Sequence, residues 1–304
     1  MRGRLRKFRC GTVQPPLLFQ IIVRGGKMLD KGIVVLRGGG DLATGIACRL
    51  FNAGFKVLIS EISEPTVIRR KVSFAQAVYE KEVFVEGICG RLAASIGEAL
   101  ALLERNVIPV IVDKDMSNFK NNKPFILVDA ILAKRNLGTS LDMASIVIGV
   151  GPGFTSGLDV DAVVETKRGH DLGKVILRGT AIPDTGIPGN IGGYSIERVL
   201  KSPKAGTLRI VRDIGSIIEE GDTIAVVDGT EVKTRISGVV RGMIQEGYEV
   251  HENMKIADVD PRAVVGSCFS ISDKARSVGG GVLEAILYLE NKSKRENFVE
   301  LALA

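Results

Sequence analysis

Gly38, Gly40 and Ala43 stand directly after the apolar run Ile33-Val34-Val35-Leu36, and Glu61 follows 23 residues after Gly38. That order is the dinucleotide pattern G-x-G-x-x-G/A with its distant acid. The first glycine permits a turn with positive φ. The second lets phosphate oxygens approach the backbone because no Cβ intrudes. The small third residue lets helix and strand pack closely. The helix that follows offers free N–H groups and a partial positive charge, worth about 0.3–1 kcal/mol per exposed charge. Gly38, Gly39, Gly40, Asp41, Ala43 and Glu61 are therefore expected to hold a nucleotide, with the Glu61 carboxylate on a ribose hydroxyl. The alternative is a tight turn without a ligand. Arg37 and Asp41 flank the turn, where each either reaches the ligand or joins a solvated charge pair.

Two further groups have chemical potential. Gly149-Val150-Gly151-Pro152-Gly153-Phe154 is a second glycine turn after a strand, and Gly151 and Gly153 are expected to close the same crevice. Glu165, Arg168 and His170 belong to the densest polar cluster and are the candidates for acid–base work or for holding an anionic substrate. The alternative there is a polar loop with a solvated histidine. The basic run Arg69-Arg70-Lys71 is expected at a helix start, facing phosphates or, more ordinarily, solvent. The four cysteines, Cys10, Cys48, Cys89 and Cys268, show no C-x-x-C spacing and no histidine at ligand distance. No disulfide framework or metal site is expected, and free thiols point to a reducing cytoplasm.

The elements that must position these residues are legible in outline. Ile33–Leu36 and Phe55–Ile59 read as buried parallel strands around a helix whose apolar positions are Leu42, Ile46, Ala47 and Leu50, ending at Gly54. Val83–Val85, Val107–Val112, Phe125–Val128 and Ile146–Val150 continue the strands, with a helix over Leu92–Leu103; Pro109 suggests an edge strand. Gly149–Gly193 is expected to be loops with short strands. The fold class is α/β, a Rossmann-like parallel sheet covered on both faces.

Residues 206–260 repeat at a constant offset of 32. Gly206, Arg209, Gly215, Glu220, Ile224, Ala225, Val227 and Asp228 recur as Gly238, Arg241, Gly247, Glu252, Ile256, Ala257, Val259 and Asp260. Two such halves bury their apolar faces only against each other. Asp228-Gly229 is a tight hairpin signal. The repeat resembles the barrel-sandwich domains of lipoyl and biotinyl carriers, which implies an inserted small all-β domain. The carrier lysine is missing from the tip Asp228-Gly229-Thr230, so a swinging arm is not expected. His251 reads as a surface residue. The chain therefore divides into a leader (1–27), a nucleotide-binding domain (28–204), the repeat (205–262) and a C-terminal segment (263–304). In the last, a helix entered through Gly279-Gly280-Gly281 returns to the first domain.

The 304 residues are 45% hydrophobic and 25% charged, a globular balance, with mean hydropathy +0.20. The net charge of +6 is concentrated in residues 1–27, which carry seven basic side chains and no acid. The remaining chain has 34 basic against 35 acidic side chains, which argues against a nucleic-acid partner. Residues 1–27 are expected to lie outside the native protein. Arg24-Gly25-Gly26-Lys27 is what a purine-rich ribosome-binding site spells when read as protein, and Met28 follows. Apolar stretches fall short of the ~20 residues of a membrane span.

The segments V-L-R-G-G-G-D-L-A-T-G-I-A (35–47), P-T-V-I-R-R (65–70), V-S-F-A-Q-A-V-Y-E (72–80), V-E-G (85–87), G-P-G-F (151–154), E-T-K-R-G-H-D-L-G (165–173) and G-G-G-V-L-E-A-I (279–286) together resemble the YqeB family. The resemblance runs from about Lys31 to Tyr288. It implies an accessory protein of the selenium-dependent molybdenum hydroxylase system, acting in maturation of the hydroxylase apoenzyme. Its Rossmann part is also similar to XdhC-type chaperones that load molybdenum cofactor. The bound molecule would then be a nucleotide such as molybdenum-pterin dinucleotide. The rival readings are an NAD(P)-dependent oxidoreductase and a non-catalytic scaffold, and a homo-oligomer is left open. Cys48 and Cys89 are the thiols that stand beside the shared motifs, Cys89 being the better carrier candidate.

Overall fold

The computed structural model describes the backbone of residues 31–302 and the side chains of residues 32–292; the expectation for residues 1–27 lies outside them. Strand β1 (Lys31–Arg37) leads through the glycine turn into helix α1 (Asp41–Asn52) and then β2 (Phe55–Glu61). α1 buries Leu42, Ala43, Ile46, Ala47 and Leu50 on one face, carries Asp41 in its first turn and Arg49 in its last, and stops before Gly54, whose φ is +88°. A single helical turn α2 (Ala77–Glu80), the hairpin β3 (Glu82–Val85) and β4 (Ile88–Ala93), helix α3 (Ile96–Glu104) and β5 (Ile108–Val112) complete one half. α3 begins with a reciprocal cap, in which Glu98 N donates to Ser95 Oγ and Ala94 N donates to Glu98 Oε2.

The second half contains β6 (Ile126–Asp129), β7 (Ile146–Val150), β8 (Thr155–Ser156), β9 (Ala162–Val164), β10 (Val175–Ile176) and β11 (Gly179–Thr180). Nine strands form one sheet in the order β10-β9-β7-β6-β1-β2-β5-β4-β3. It is parallel except for β3 and β10 at its two edges. The protein is thus mixed α/β with a large, mainly parallel, Rossmann-like sheet. Helices are fewer than a strict alternation predicts. The connection from β6 to β7 contains none. One face of the sheet packs on α1 and the last helix, the other on α3 and loops such as that carrying Met116 and Phe119.

Three local expectations change. Pro109 is not on an edge, because β5 lies between β2 and β4. Its pairing with β2 begins only at Val110, so the missing N–H is tolerated there. The helix expected over Leu92–Leu103 is split, its first residues completing β4. The last helix, α4 (Asp273–Ala302), begins six residues before the glycines. Gly279 and Gly281 lie inside it and permit close approach rather than entry. A Cβ on Gly281 would lie 2.0 Å from Gly173 O, and one on Gly45 of α1 would lie 2.6 Å from Ala275 Cβ.

Residues 199–260 form two four-stranded sheets around their own apolar core. The strands are β12 (Val199–Lys201), β13 (Gly206–Ile210), β14 (Ile217–Ile218), β15 (Thr223–Val227), β16 (Thr230–Lys233), β17 (Gly238–Met243), β18 (Glu249–Val250) and β19 (Lys255–Asp260). The offset of 32 superimposes β13 on β17, β14 on β18 and β15 on β19. The short strand of each copy pairs with the other copy: β14 with β17, and β18 with β13. Asp228 and Gly229, with φ of +41° and +81°, form the two-residue β15–β16 hairpin.

The seam between these sheets and the large sheet takes up the basic run. Arg69 and Arg70 are buried, so neither solvent nor a phosphate is their partner. Arg69 Nη2 donates to Ser267 O and Ser270 O, while Arg70 binds Met243 O and Asp213. The chain there forms a short 3-10 turn, Arg70–Val72, instead of a helix start.

Gly281→Ala is expected to force α4 away from Gly173 and to lower stability by about 1–3 kcal/mol. Thermal unfolding checks this; an unchanged midpoint would mean that the helix contact is loose.

Candidate functional site

The β1–α1 turn is built as expected but is engaged by protein. Gly38 has φ of +96°, and a Cβ there would lie 3.1 Å from the Ile131 backbone. Gly39 N donates to Glu61 Oε1 at 2.9 Å, and Ile62 N donates to Glu61 Oε2 at 2.7 Å. The amide that the motif would offer to a phosphate is therefore held by the carboxylate expected on ribose. Burial pushes the Glu61 carboxyl up, against the two amides that pull it down. Ala75 N donates to Gly39 O, and a Cβ on Gly39 would lie 2.9 Å from Ala75 N. Thr44 Oγ1 joins both sides, donating to Gly39 O and accepting from Phe74 N. Gly40 remains more open, with Val67 Cγ1 3.6 Å from its ideal Cβ. Ala43 is fully buried in the helix–sheet contact.

The flanking charges do not pair with each other. Asp41 lies 3.7 Å from Arg69 Nη1. Arg37 is buried, and its Nη1 donates to Asp129 Oδ2 at 3.2 Å and to Thr139 Oγ1 at 2.9 Å. Thr139 Oγ1 in turn donates to Asp129 Oδ2, and Arg37 Nη2 reaches Leu137 O. Arg37 and Asp129 are the last residues of neighbouring strands β1 and β6, where the strand order reverses. Open parallel sheets bind ligands outside the carboxyl ends of their strands at such a point.

A cavity of about 350 Å³ opens there. Leu42 enters from α1, Leu132 and Lys134 from the β6 exit, and Pro152 from the β7 exit. Arg168 comes from the β9 exit and Lys274 from the first turn of α4. Leu132 and Lys134 both take positive φ, +62° and +63°, a strained backbone of the kind found at binding sites. Gly151 and Gly153, expected to close the crevice, support its wall. Their ideal Cβ atoms would lie 2.8 Å from Thr166 Oγ1 and 2.6 Å from the Arg135 backbone, and Pro152 between them lines the cavity.

The polar cluster is divided by the fold. Glu165 is buried and does not line the cavity. It accepts from Thr166 N and Lys167 N with Oε1 and from Ile182 N with Oε2. Its role in this geometry is to tie segment 182–189 to the end of β9. His170 is exposed farther along the loop, away from the cavity lining. Arg168 lines the cavity and makes a two-armed bond to Asp273, whose carboxyl it holds well below the usual range.

Sequence reasoning missed Lys134, Asp184 and Lys274. Lys134 binds Asp184 at 2.7 Å. Lys274 is half-buried and has no ion pair within 4 Å among the described residues; burial, then Arg168, lowers its pKa. Lys134, Lys167, Arg168 and Lys274 thus face a single lining carboxylate, Asp184, while Leu42, Leu132, Ile182 and Ile187 supply apolar walls. The arrangement suits an anion carrying a ring. It offers no histidine for proton transfer.

Among the described residues no three His, Cys, Asp or Glu side chains converge as a metal site, and no helix is long and apolar enough to cross a membrane. Among the described residues the thiols are not activated. Burial pushes Cys48 up to about 12, and burial with Glu82 raises Cys89.

No protein-family model matches the chain. It is 51% identical over 257 residues to "Uncharacterized protein YqeB" of Escherichia coli (strain K12), covering 84% of this chain and 48% of that one. The chain spans about half the length of that relative. Over the matched stretch the chain is similar to that relative. Two solved structures of the ectoine utilization protein EutE (DoeB) from Ruegeria pomeroyi are also similar. The product-bound form is 16% identical, covering 74% of this chain and 56% of that one, with a TM-score of 0.21. The apo form is 12% identical, covering 75% and 86%, with a TM-score of 0.24. Scores this low carry no argument about fold or function.

Asp129→Asn is expected to cost about 3–5 kcal/mol, because it leaves the buried Arg37 charge uncompensated. Denaturant unfolding checks this. A loss under about 1 kcal/mol would mean that Thr139 and Leu137 suffice to hold Arg37.

Proposed function

We propose, taking membership of the YqeB family as the premise, that this chain binds a nucleotide-class anion in the crevice between β1 and β6 and serves in maturing selenium-dependent molybdenum hydroxylases. The observation that carries the binding reading is Lys274, a half-buried ammonium without an ion-pair partner among the described residues, in a cavity with three other cations. A bound phosphate would supply the missing counter-charge. Apolar walls from α1 and the β6 exit suit the ring of the same molecule. The maturation role, the hydroxylase apoenzyme as partner and the cytoplasm as its place rest on the family resemblance and on the unpaired thiols.

Residues 199–260 fit an inserted barrel-sandwich of the lipoyl and biotinyl type. The exchange of β14 and β18 between the two copies supports this reading. The hairpin tip Asp228-Gly229-Thr230 has no lysine, so the unit serves to dock a partner or orient the crevice rather than to carry a group. The Arg70–Asp213 ion pair and the bonds Arg70 Nε to Met243 O and Met243 N to Ile68 O cross the seam and support the orienting role.

An NAD(P)-dependent oxidoreductase would place pyrophosphate on the β1–α1 turn and ribose on Glu61. The Gly39–Glu61 bond and the cover of the turn by Ala75 weigh against it.

Thermal unfolding of the full chain with NAD(H), NADP(H), ATP, CTP and molybdenum-pterin dinucleotide tests these readings. A ligand at 100 times its dissociation constant adds about 2.7 kcal/mol. Lys274→Met is expected to abolish the shift, while Gly40→Val, where the added Cβ would stand 3.6 Å from Val67 Cγ1, leaves it. Loss with Gly40→Val and retention with Lys274→Met would return the site to the glycine turn. No shift with any ligand would favour the non-catalytic scaffold.

A further inference from the structure

The segment Ile182–Gly189 is strapped over the crevice and is pinned at both ends. Ile182 N donates to Glu165 Oε2 at 2.8 Å, and Gly189 O accepts from Arg198 Nη1 at 3.0 Å. Between these pins, a single charged side chain turns to the cavity. Asp184 bonds Lys134 Nζ at 2.7 Å and is fixed by accepting from Gly186 N at 2.9 Å. The remaining side chains of the strap's middle, such as Thr185 and Ile187, are uncharged and exposed. The strap thus brings one carboxylate to a site whose other charged lining groups are cations.

We propose that the crevice takes a compact ligand with one terminal phosphate, of mononucleotide size, and that this phosphate displaces Asp184 from Lys134. The inference rests on the crevice reading above and names its ligand and its internal competitor.

Five observations carry it. The cavity of about 350 Å³ is near the lower end of ligand sites, which run from roughly 300 to 1,000 Å³. That space suits one phosphorylated ring rather than a whole dinucleotide, so a dinucleotide would leave its second half outside the strap. A single carboxylate leaves Lys274 without a partner, whereas a phosphate monoester carries about −1.5 to −2 charges at neutral pH and three acceptor oxygens. It can take Lys134 from Asp184 and satisfy Lys274 at the same time. Arg168 is already fixed in a two-armed bond to Asp273, which leaves Lys134, Lys167 and Lys274 as the lining lysines able to respond. The pair Lys134–Asp184 is more than a third exposed on both sides, so exchanging its partner is cheap. Lys134 keeps Asp184 ionised, its carboxyl held below the usual range, so the competitor is present throughout the neutral pH range.

The test is calorimetric titration of the full chain with inorganic phosphate, pyrophosphate and CMP. Asp184→Asn, at an exposed strap position, is expected to tighten phosphate-bearing ligands about threefold to tenfold, since removing a competing exposed ion pair frees Lys134. Lys134→Met is expected to weaken them by at least about tenfold, and the thermal midpoint without ligand checks that both variants fold. Preference for CMP over both inorganic anions supports a phosphorylated ring; equal binding of phosphate and CMP overturns that part and leaves a plain anion site. Wild type and Asp184→Asn binding alike, or weaker binding by Asp184→Asn, overturns the displacement while the crevice reading stands. Binding by Asp184→Asn alone supports displacement outright. No binding by either overturns both.

Discussion

The ion pair between Arg37 and Asp129 is the constraint on which the arrangement of the site depends. It joins the final residues of two adjacent parallel strands at the place where the chain reverses its direction of travel across the sheet. Both partners are buried, and removing two charges from water costs several kcal/mol each unless geometry and further hydrogen bonds compensate. Thr139 and Leu137 provide those bonds, and Asp129 Oδ1 also accepts from Ile131 N. The loop from Ala130 to Thr139 is thereby drawn back over the strand ends. Leu132 and Lys134 take left-handed backbone within that loop and face the crevice. The charge pair itself does not line the cavity; it fixes the wall that does.

The opposite wall depends on close backbone approach. α4 can bring Lys274 to the crevice only because it crosses α1 and the Gly173 turn at points where glycine leaves one side of each close contact without a Cβ. Gly45 meets Ala275, Gly279 meets Gly45 O, and Gly281 meets Gly173 O. Any Cβ at these points would push the helix outward, and protein interiors are packed too densely to absorb such a shift without loss. Glycine within a helix costs roughly 1 kcal/mol relative to alanine. Here that cost is offset by apolar burial of Val278, Val282, Ala285 and Ile286 against the large sheet.

The repeated segment adds a second core and a seam. Two copies with the same strand pattern exchange their short strands, so neither half closes its sheet without the other. The seam then fixes this unit against the large sheet through the buried Arg70 guanidinium, which binds Met243 O and Asp213, while Arg69 binds Ser267 O and Ser270 O in the segment that follows the unit. Arg69 retains two buried nitrogens, Nε and Nη1, with no hydrogen-bond partner among the described residues. A charged side chain in that position requires nearby acids, and Asp41 and Asp258 supply part of the compensation.

The sequence by itself determined the β1–α1–β2 unit, most of the remaining strands, the hairpin at Asp228-Gly229 and the offset of 32. These follow from short-range rules: apolar periodicity, glycine placement and self-similarity act within a few tens of residues. It also marked Gly151, Gly153 and Arg168 as neighbours of a crevice. It did not show that Glu61 turns back onto Gly39, that Glu165 is spent on three backbone amides, or that Arg69 and Arg70 are buried. Each of those depends on a partner that only folding brings near, such as the cover by Ala75 or the strap at Ile182. Tertiary structure alone decided that Lys134, Asp184 and Lys274 share one cavity. They lie 50 and 90 residues apart along the chain, on a loop, a strap and a helix start with no common motif. Charge and desolvation act through space, so the residues that matter most to the crevice had no local pattern by which to be read.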